Sequence, residues 1–220
     1  MMSKVKSIAL VGLGILCTQA FCADLARPGT VNYVEGQAYL EGKQLTPQDV
    51  GSSDVDGGQV LSTAVGKAEM LLTPGIFLRL GDNSSLKMIS PDLTETRVEL
   101  QKGHASVEVD EIYPQNHIRV VEAGVVTDLL KSGYYEFNAD DATEMVFKGK
   151  AAIEVADGKY TQAKGHREFT LREGPDGKPI TLEKATSFDT QAAKDDLYNW
   201  SNLRSQYLAE ANNEIAGTYD

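Results

Sequence analysis

The chain has 220 residues, 41% hydrophobic and 24% charged, long enough to bury a core without disulfide or metal staples. With 21 basic and 32 acidic residues its formal charge is −11, which argues against nucleic acid and anionic lipid surfaces as partners. Twenty glycines against seven prolines point to many tight turns, not to a collagen-like or disordered chain.

Residues 1–6 carry Lys4 and Lys6, residues 8–17 form a short apolar run, and residues 18–23 are small and mildly polar. That order is expected of a secretory signal peptide over residues 1–22. The run is shorter than the roughly 20 apolar residues of a membrane span. Cleavage after Ala20, Cys22 or Ala23 would each leave a small residue before the cut, with Cys22 or Ala23 preferred. Cys17 follows Ile15-Leu16 and Cys22 follows Phe21, so neither has the small neighbours of a lipoprotein site. Both cysteines lie in the segment to be removed, and the mature chain is expected to hold no disulfide, no thiolate nucleophile and no Cys-ligated metal. It would carry 19 basic and 32 acidic residues, a charge of −13. The expected location is the periplasm or the extracellular space, with no membrane insertion after signal removal.

Residues 24–184 read as a mainly β domain of stacked short antiparallel strands or hairpins, arranged as a sandwich or an irregular β-coil. Apolar and polar residues alternate in short runs from Val31 onward. Clear runs are Ile76-Phe77-Leu78-Arg79-Leu80, Val98-Glu99-Leu100, Ile118-Arg119-Val120-Val121, Tyr135-Glu136-Phe137 and Glu168-Phe169-Thr170-Leu171. Turns are expected at Pro74-Gly75, Gly81-Asp82-Asn83, Asp157-Gly158 and Pro175-Asp176-Gly177, and an exposed connection at Asp140-Asp141-Ala142-Thr143-Glu144.

A Gly-x-Ala-x-apolar pattern recurs at Gly36, Gly66, Gly103 and Gly149, at intervals of 30, 37 and 46 residues. Each copy is expected to be a turn or bulge followed by a strand whose alanine and next aliphatic share a face. The irregular intervals do not establish a solenoid, and chance in a glycine-rich β protein is the competing explanation.

The run from Asp56-Gly57-Gly58 through Thr63, Gly66-Lys67-Ala68 and Pro74-Gly75 to Leu78-Arg79-Leu80 resembles the central block of the FecR domain. Val98-Glu99-Leu100-Gln101-Lys102-Gly103 with Val107-Glu108-Val109 is similar to that family's paired strands. The segments from Val125 through Gly133 to Phe137, and Val146-Phe147-Lys148-Gly149, occupy the places of its later blocks. The similarity covers roughly residues 31–171. It implies a periplasmic, non-enzymatic β domain. Family members with a cytoplasmic anti-sigma segment and a transmembrane helix relay signals from outer-membrane receptors to sigma factors. This chain has an export signal in that place, so a stand-alone exported member is expected.

Residues 187–216 change period. From Asp189 the apolar positions Ala193, Leu197, Trp200, Leu203, Tyr207, Leu208, Ala211 and Ile215 fall at three- and four-residue steps, the face of an amphipathic helix. Ser187 or Asp189 is the expected cap. This face would either pack on its own domain or dock a partner, with Trp200, Arg204 and Tyr207 as the anchors.

Chemical motifs are sparse. His104, His117 and His166 lack ligand or catalytic spacing and are expected to be exposed. Asp54-Val55-Asp56-Gly57 is short of a full calcium loop and reads as a turn. No nucleophile elbow, phosphate loop or dinucleotide fingerprint occurs. No cofactor, metal site or catalytic residue is expected. The leading expectation is a non-enzymatic FecR-like module for protein interaction or signalling, with another envelope protein as partner. A glycan or small-ligand binding module is the alternative, with Tyr33, Tyr39, Tyr134 and Tyr160 as its surface. A hydrolase using two carboxylates would require both acids in one cleft.

Overall fold

The computed structural model describes residues 27–155, 159–173, 179–180 and 185–217. The expected signal peptide and the turns at Asp157-Gly158 and Pro175-Asp176-Gly177 lie outside the described residues. The described chain is mainly β, with one C-terminal helix. Its first strands are β1 (Val31–Leu40), β2 (Lys43–Gln44), β3 (Val60–Thr73), β4 (Ile76–Leu80), β5 (Ser85–Pro91) and β6 (Glu95–Lys102). There follow β7 (His104–Val109), β8 (His117–Glu122), β9 (Val125–Leu129), β10 (Gly133–Asn138), β11 (Thr143–Lys148) and β12 (Lys150–Val155). The last are β13 (Lys159–Lys164), β14 (Arg167–Thr170), β15 (Arg172–Glu173), β16 (Pro179–Ile180) and β17 (Thr186–Ser187), then helix α1 (Asp196–Gly217).

Apart from β15 and β16, the strands form one sheet in the order β13-β12-β9-β8-β6-β5-β3-β4-β7-β10-β11-β14-β17, with β1 beside β3 and β2 beside β1. The long strand β3 makes that sheet into two layers. Its first residues pair with β5, Val60 opposite Lys87 and Ser62 opposite Ser85. Its last residues pair with β4, Ala68 opposite Leu80 and Thr73 opposite Ile76. Between them the strand bends at Val65-Gly66. Leu86, Met88, Val98 and Val120 from one layer meet Leu78, Val107, Phe137 and Phe169 from the other in a single buried cluster. Each such side chain stabilises the fold by about 1.5–3 kcal/mol.

Three of the four Gly-x-Ala copies lie at places where the chain changes layer. Gly66 lies at the bend of β3, Gly103 between β6 and β7, and Gly149 between β11 and β12. Gly36 in β1 stands directly opposite Gly66. The alanines that follow, Ala38, Ala68, Ala105 and Ala151, are all buried, as are Met70, Val107 and Ile153 two residues further on. Each copy thus puts a small and, at three of the four, a larger side chain into the core two residues apart, on one face of its strand. At the β1–β3 crossing, a Cβ on Gly66 would strike the backbone N of Gln37 and carbonyl of Glu35. Gly36 has φ +65°, and a Cβ there would lie 2.8 Å from the Cα of Gly66. A second corner is pinned by buried Tyr135, whose hydroxyl donates to the Lys131 carbonyl at 2.6 Å and accepts from the Lys150 N–H at 2.9 Å.

Two sequence expectations are corrected. The Asp140 connection turns as expected, but it ends at Ala142: Thr143 and Glu144 belong to β11, and Glu144 is buried. The helix begins at Asp196, not Asp189. Asp189 caps a short turn, accepting from the N–H of Gln191 at 2.9 Å, whereas Asp195 caps α1 by accepting from the N–H of Tyr198 at 2.8 Å. Both aspartates carry the same capping chemistry, so sequence alone did not separate them.

Glu144 shares the core with a second carboxyl, Glu122 at the end of β8, which is 0% exposed. Thr127 Oγ1 donates to Glu144 Oε2 at 2.6 Å, while both Glu122 oxygens and Glu144 Oε1 have no partner among the described residues. Burial, reinforced by the Glu144 charge, pushes Glu122 from 4.5 up to about 9, and burial pushes Glu144 to about 7. The folded state therefore holds protons that the unfolded chain releases above pH 4.5. The contribution of these two carboxyls to stability is complete below that pH and is lost as pH rises through 7 toward 9.

Two predictions follow from the core. Glu122→Met raises stability at pH 8 by about 1–4 kcal/mol and flattens the decline, as read by urea unfolding at pH 4.5 and pH 8. Gly36→Ala destabilises by about 2 kcal/mol more than Gly42→Ala in the same assay. Both glycines have positive φ, +65° and +76°, but only Gly36 faces another backbone.

Candidate functional site

The outward side of the β4-β7-β10 layer carries the most unusual chemistry of the chain. Alternation sends Leu78, Leu80, Ala105, Val107, Tyr135 and Phe137 inward, and so turns the residues between them outward. In register, Tyr33, Glu69, Arg79, Ser106 and Glu136 lie side by side across β1, β3, β4, β7 and β10. Such residues ordinarily face water. Here Glu69, Arg79 and Ser106 are 0% exposed and Glu136 is 5% exposed, because α1 lies over them.

Arg79 is the hub. Its Nε donates to Glu69 Oε2 at 2.7 Å, its Nη1 to Glu108 Oε2 at 2.6 Å, and its Nη2 to Ser205 Oγ of α1 at 3.2 Å. Glu69 Oε1 also accepts from Arg204 Nη2 of α1 at 2.9 Å. The Arg204 guanidinium stacks 4.0 Å from the centre of the Tyr33 ring. Burial works against the Glu69 charge, but Arg204 and Arg79 outweigh it and hold the carboxyl below its ordinary range. Ser106 and Ser201 meet hydroxyl to hydroxyl at 3.1 Å, and Trp200 Nε1 donates to Glu35 Oε2 at 2.9 Å.

The start of the helix is held by charge. His104 Nδ1 lies 3.7 Å from Asp195, and Lys67 Nζ lies 2.6 Å from Asp196 and 3.8 Å from Asp82. The neighbouring Asp195 carboxylate raises His104 above 6.5, against the cost of burial. Burial, with the charge of Asp195, pushes Glu136 up to about 8, and Tyr134 donates to it at 3.0 Å. Beside this end, Tyr198 packs on Tyr134 and Phe147 with centroids 5.0 and 5.1 Å apart.

A cleft of about 590 Å³ opens where α1 leaves the sheet edge, between Asn32, Phe77, Glu108, Asp110, Ser205 and Leu208. It does contain two carboxylates. Glu108 is already committed to Arg79 and to the Ser205 hydroxyl, which removes it as a free acid or base. Burial and the Glu108 charge raise Asp110. Among the described residues, no group of three or more His, Cys, Asp or Glu is placed to hold a metal ion, and no helix is long and apolar enough to cross a membrane.

Trp200 and Arg204, expected as anchors, are thus turned onto the chain's own sheet, while Tyr207 is 55% exposed on the outer side. The seated stripe is Leu197, Ser201, Arg204, Ser205 and Leu208, rotated from the apolar spacing because the surface beneath it is polar. Leu203 is exposed in consequence. His104 and His117 are half-exposed beside Asp195 and Asp128, and His166 occupies a corner with φ +64°. Asp54 is engaged by Arg27 and Thr30 at a bridge between chain segments. Of the tyrosines, Tyr33 and Tyr134 lie beneath α1 and Tyr160 is exposed. Sequence reasoning did not single out Glu69, Arg79, Glu108 or Glu136, since outward charges on a strand read as a solvated face. The available signal was Arg79 inside the otherwise apolar run from Ile76 to Leu80.

The fold and this face define the class as an all-β domain whose outer surface is covered by its own C-terminal helix. No family model matches the sequence, and no curated protein is significantly similar to it. Two crystal structures of a candidate anti-sigma factor from Parabacteroides distasonis align with it at 12% identity and a TM-score of 0.48. The alignments cover 60% of this chain and 61% of theirs, less than two thirds of those structures.

Arg79→Ala leaves Glu69 buried with one cation instead of two. It is expected to cost about 3–5 kcal/mol in urea unfolding, and Arg79→Met/Glu69→Met, which removes both charges, distinctly less.

Proposed function

We propose that the chain is an exported, non-enzymatic, FecR-like module that binds another envelope protein in a signalling or regulatory role, and that the face under α1 is its binding surface. One observation carries this reading: α1 is seated on a charged surface by hydrogen bonds and ion pairs, with Leu197 the one large apolar side chain of the helix that is fully buried among the described residues. Contacts of that kind are individually exchangeable for a competitor's donors and acceptors, whereas a dry apolar seat is not. Trp200 and Arg204 then hold the closed state in cis, and a partner takes over Glu35 and Glu69 when the helix lifts. Tyr207 and Leu203 on the outer side of α1 offer the same partner a first foothold. A glycan platform is less well supported, because Tyr33 and Tyr134 are covered and Tyr160 stands apart on β13.

The Ser106 and Ser201 hydroxyls, 3.1 Å apart, allow a direct test. No cysteine occurs after residue 22, so Ser106→Cys/Ser201→Cys introduces one disulfide that fastens α1 to β7. With a photo-crosslinker at Tyr33, envelope proteins captured by the reduced form are expected to be lost on oxidation and recovered with reductant. Equal capture by the fastened and reduced forms would move the binding surface off this face.

A further inference from the structure

The helix is held over its seat by groups that change charge near neutral pH, and we infer that α1 is a proton-controlled latch: closed in mildly acidic conditions and released as pH rises toward 9. The inference concerns regulation of the surface proposed above; its biological meaning rests on that reading, but its physical test does not.

The argument begins with where the two titrating groups sit. His104 on β7 lies 3.7 Å from Asp195, the cap of the helix, and Glu136 on β10, opposite the Ser106 that meets Ser201 of α1, is buried beneath the helix within reach of the same charge. Protonated His104 attracts Asp195. Ionised Glu136, buried at 5% exposure, repels it. Raising pH removes the attraction and creates the repulsion, so the two changes act in one direction. The linkage has the matching sign. His104 is raised above 6.5 while docked, so its contribution is complete below that value and is lost as pH rises through the docked value. Glu136 is pushed from 4.5 to about 8 by burial and Asp195, so its contribution is complete below 4.5 and gone above about 8.

The other charges facing the helix do not oppose this. On β3, Lys67 is raised above its ordinary lysine value by Asp196, against the cost of burial, and stays charged throughout. Glu69 is held low, and with Arg79 of β4, Glu108 of β7 and Arg204 of α1 it forms a network of permanent charges. Tyr134 of β10 is pushed far above its ordinary range by burial and remains a donor to Glu136. Glu35 of β1 accepts from Trp200, Asp82 lies beside Lys67, and Asp140 and Asp141 in the β10–β11 turn add to the field that favours protonated His104. Lys194, just ahead of the helix, lies over the Tyr198 ring. Asp195 and Glu69 are of opposite sign, both held below the ordinary carboxylate range, so what they contribute is lost only as pH falls. Burial raises Asp195, but His104 and the N–H groups of Tyr198 and Leu197 outweigh that, so its contribution disappears only in strong acid.

Trp200, the chain's single tryptophan, reports the state of the latch, because it leaves Glu35 and the Tyr33 ring when α1 lifts. The experiment follows its emission from pH 5 to pH 9 in the full chain carrying Glu122→Met, which removes Glu122 from the titrating core. The expected result is a shift toward the emission of a solvated indole, with the docked-to-open ratio falling at least about tenfold, the effect of one pK unit. His104→Asn removes the earlier part of the change and Glu136→Gln the later part. The oxidised Ser106→Cys/Ser201→Cys form stays flat while its far-ultraviolet circular dichroism is unchanged. The latch is overturned if Trp200 emission does not change with pH, or if the change persists in His104→Asn/Glu136→Gln or in the fastened form. A working latch with unchanged crosslinking would instead refute the partner surface alone.

Discussion

The joining of the two layers into one sheet depends on β3 passing from one to the other without leaving the strand conformation. That passage forces backbone against backbone where β1 crosses β3 at Gly36 and Gly66, and side chains are excluded there. Because β3 pairs with β5 before its bend and with β4 after it, the two layers are one hydrogen-bonded sheet and enclose one core.

Buried charge is handled in two opposite ways. On the outer face Arg79 answers Glu69 and Glu108, and Glu69 keeps its charge because several donors converge on it. Inside the core Glu122 and Glu144 have only the Thr127 hydroxyl between them, and burial drives them toward the neutral form. The first arrangement is insensitive to pH over the neutral range and the second is not. Glu136 belongs with the second group although it lies on the outer face, since its neighbours are a phenol and another carboxylate.

The strands were legible where alternation is strict: Ile76 to Leu80 is β4 without adjustment, and the glycine-alanine pattern marks a turn followed by a strand at Gly103 and Gly149, whereas Gly36 and Gly66 lie inside β1 and β3. What pairs with what was not legible. The parallel pairing of β6 with β8 arises because residues 110–116 carry the chain from β7 back to the layer of β6, and no residue in that loop announces it. Glu144 read as part of a solvated connection because its neighbours are acidic, yet the pleat points it inward. The helix was found and its seat was not, for a reason of chemistry: apolar spacing selects the face that would meet an oily surface, and α1 meets serine, arginine and glutamate.

The seat of α1 is assembled from β1, β3, β4, β7 and β10, segments spread from Val31 to Asn138, and the Arg79 to Ser205 contact joins residues 126 positions apart. No smaller set of strands offers the helix its place. The last element of the chain is therefore an inspector of the rest: it finds its ligands only on a finished sheet, and a molecule whose layers are misassembled is left with an unanchored tail.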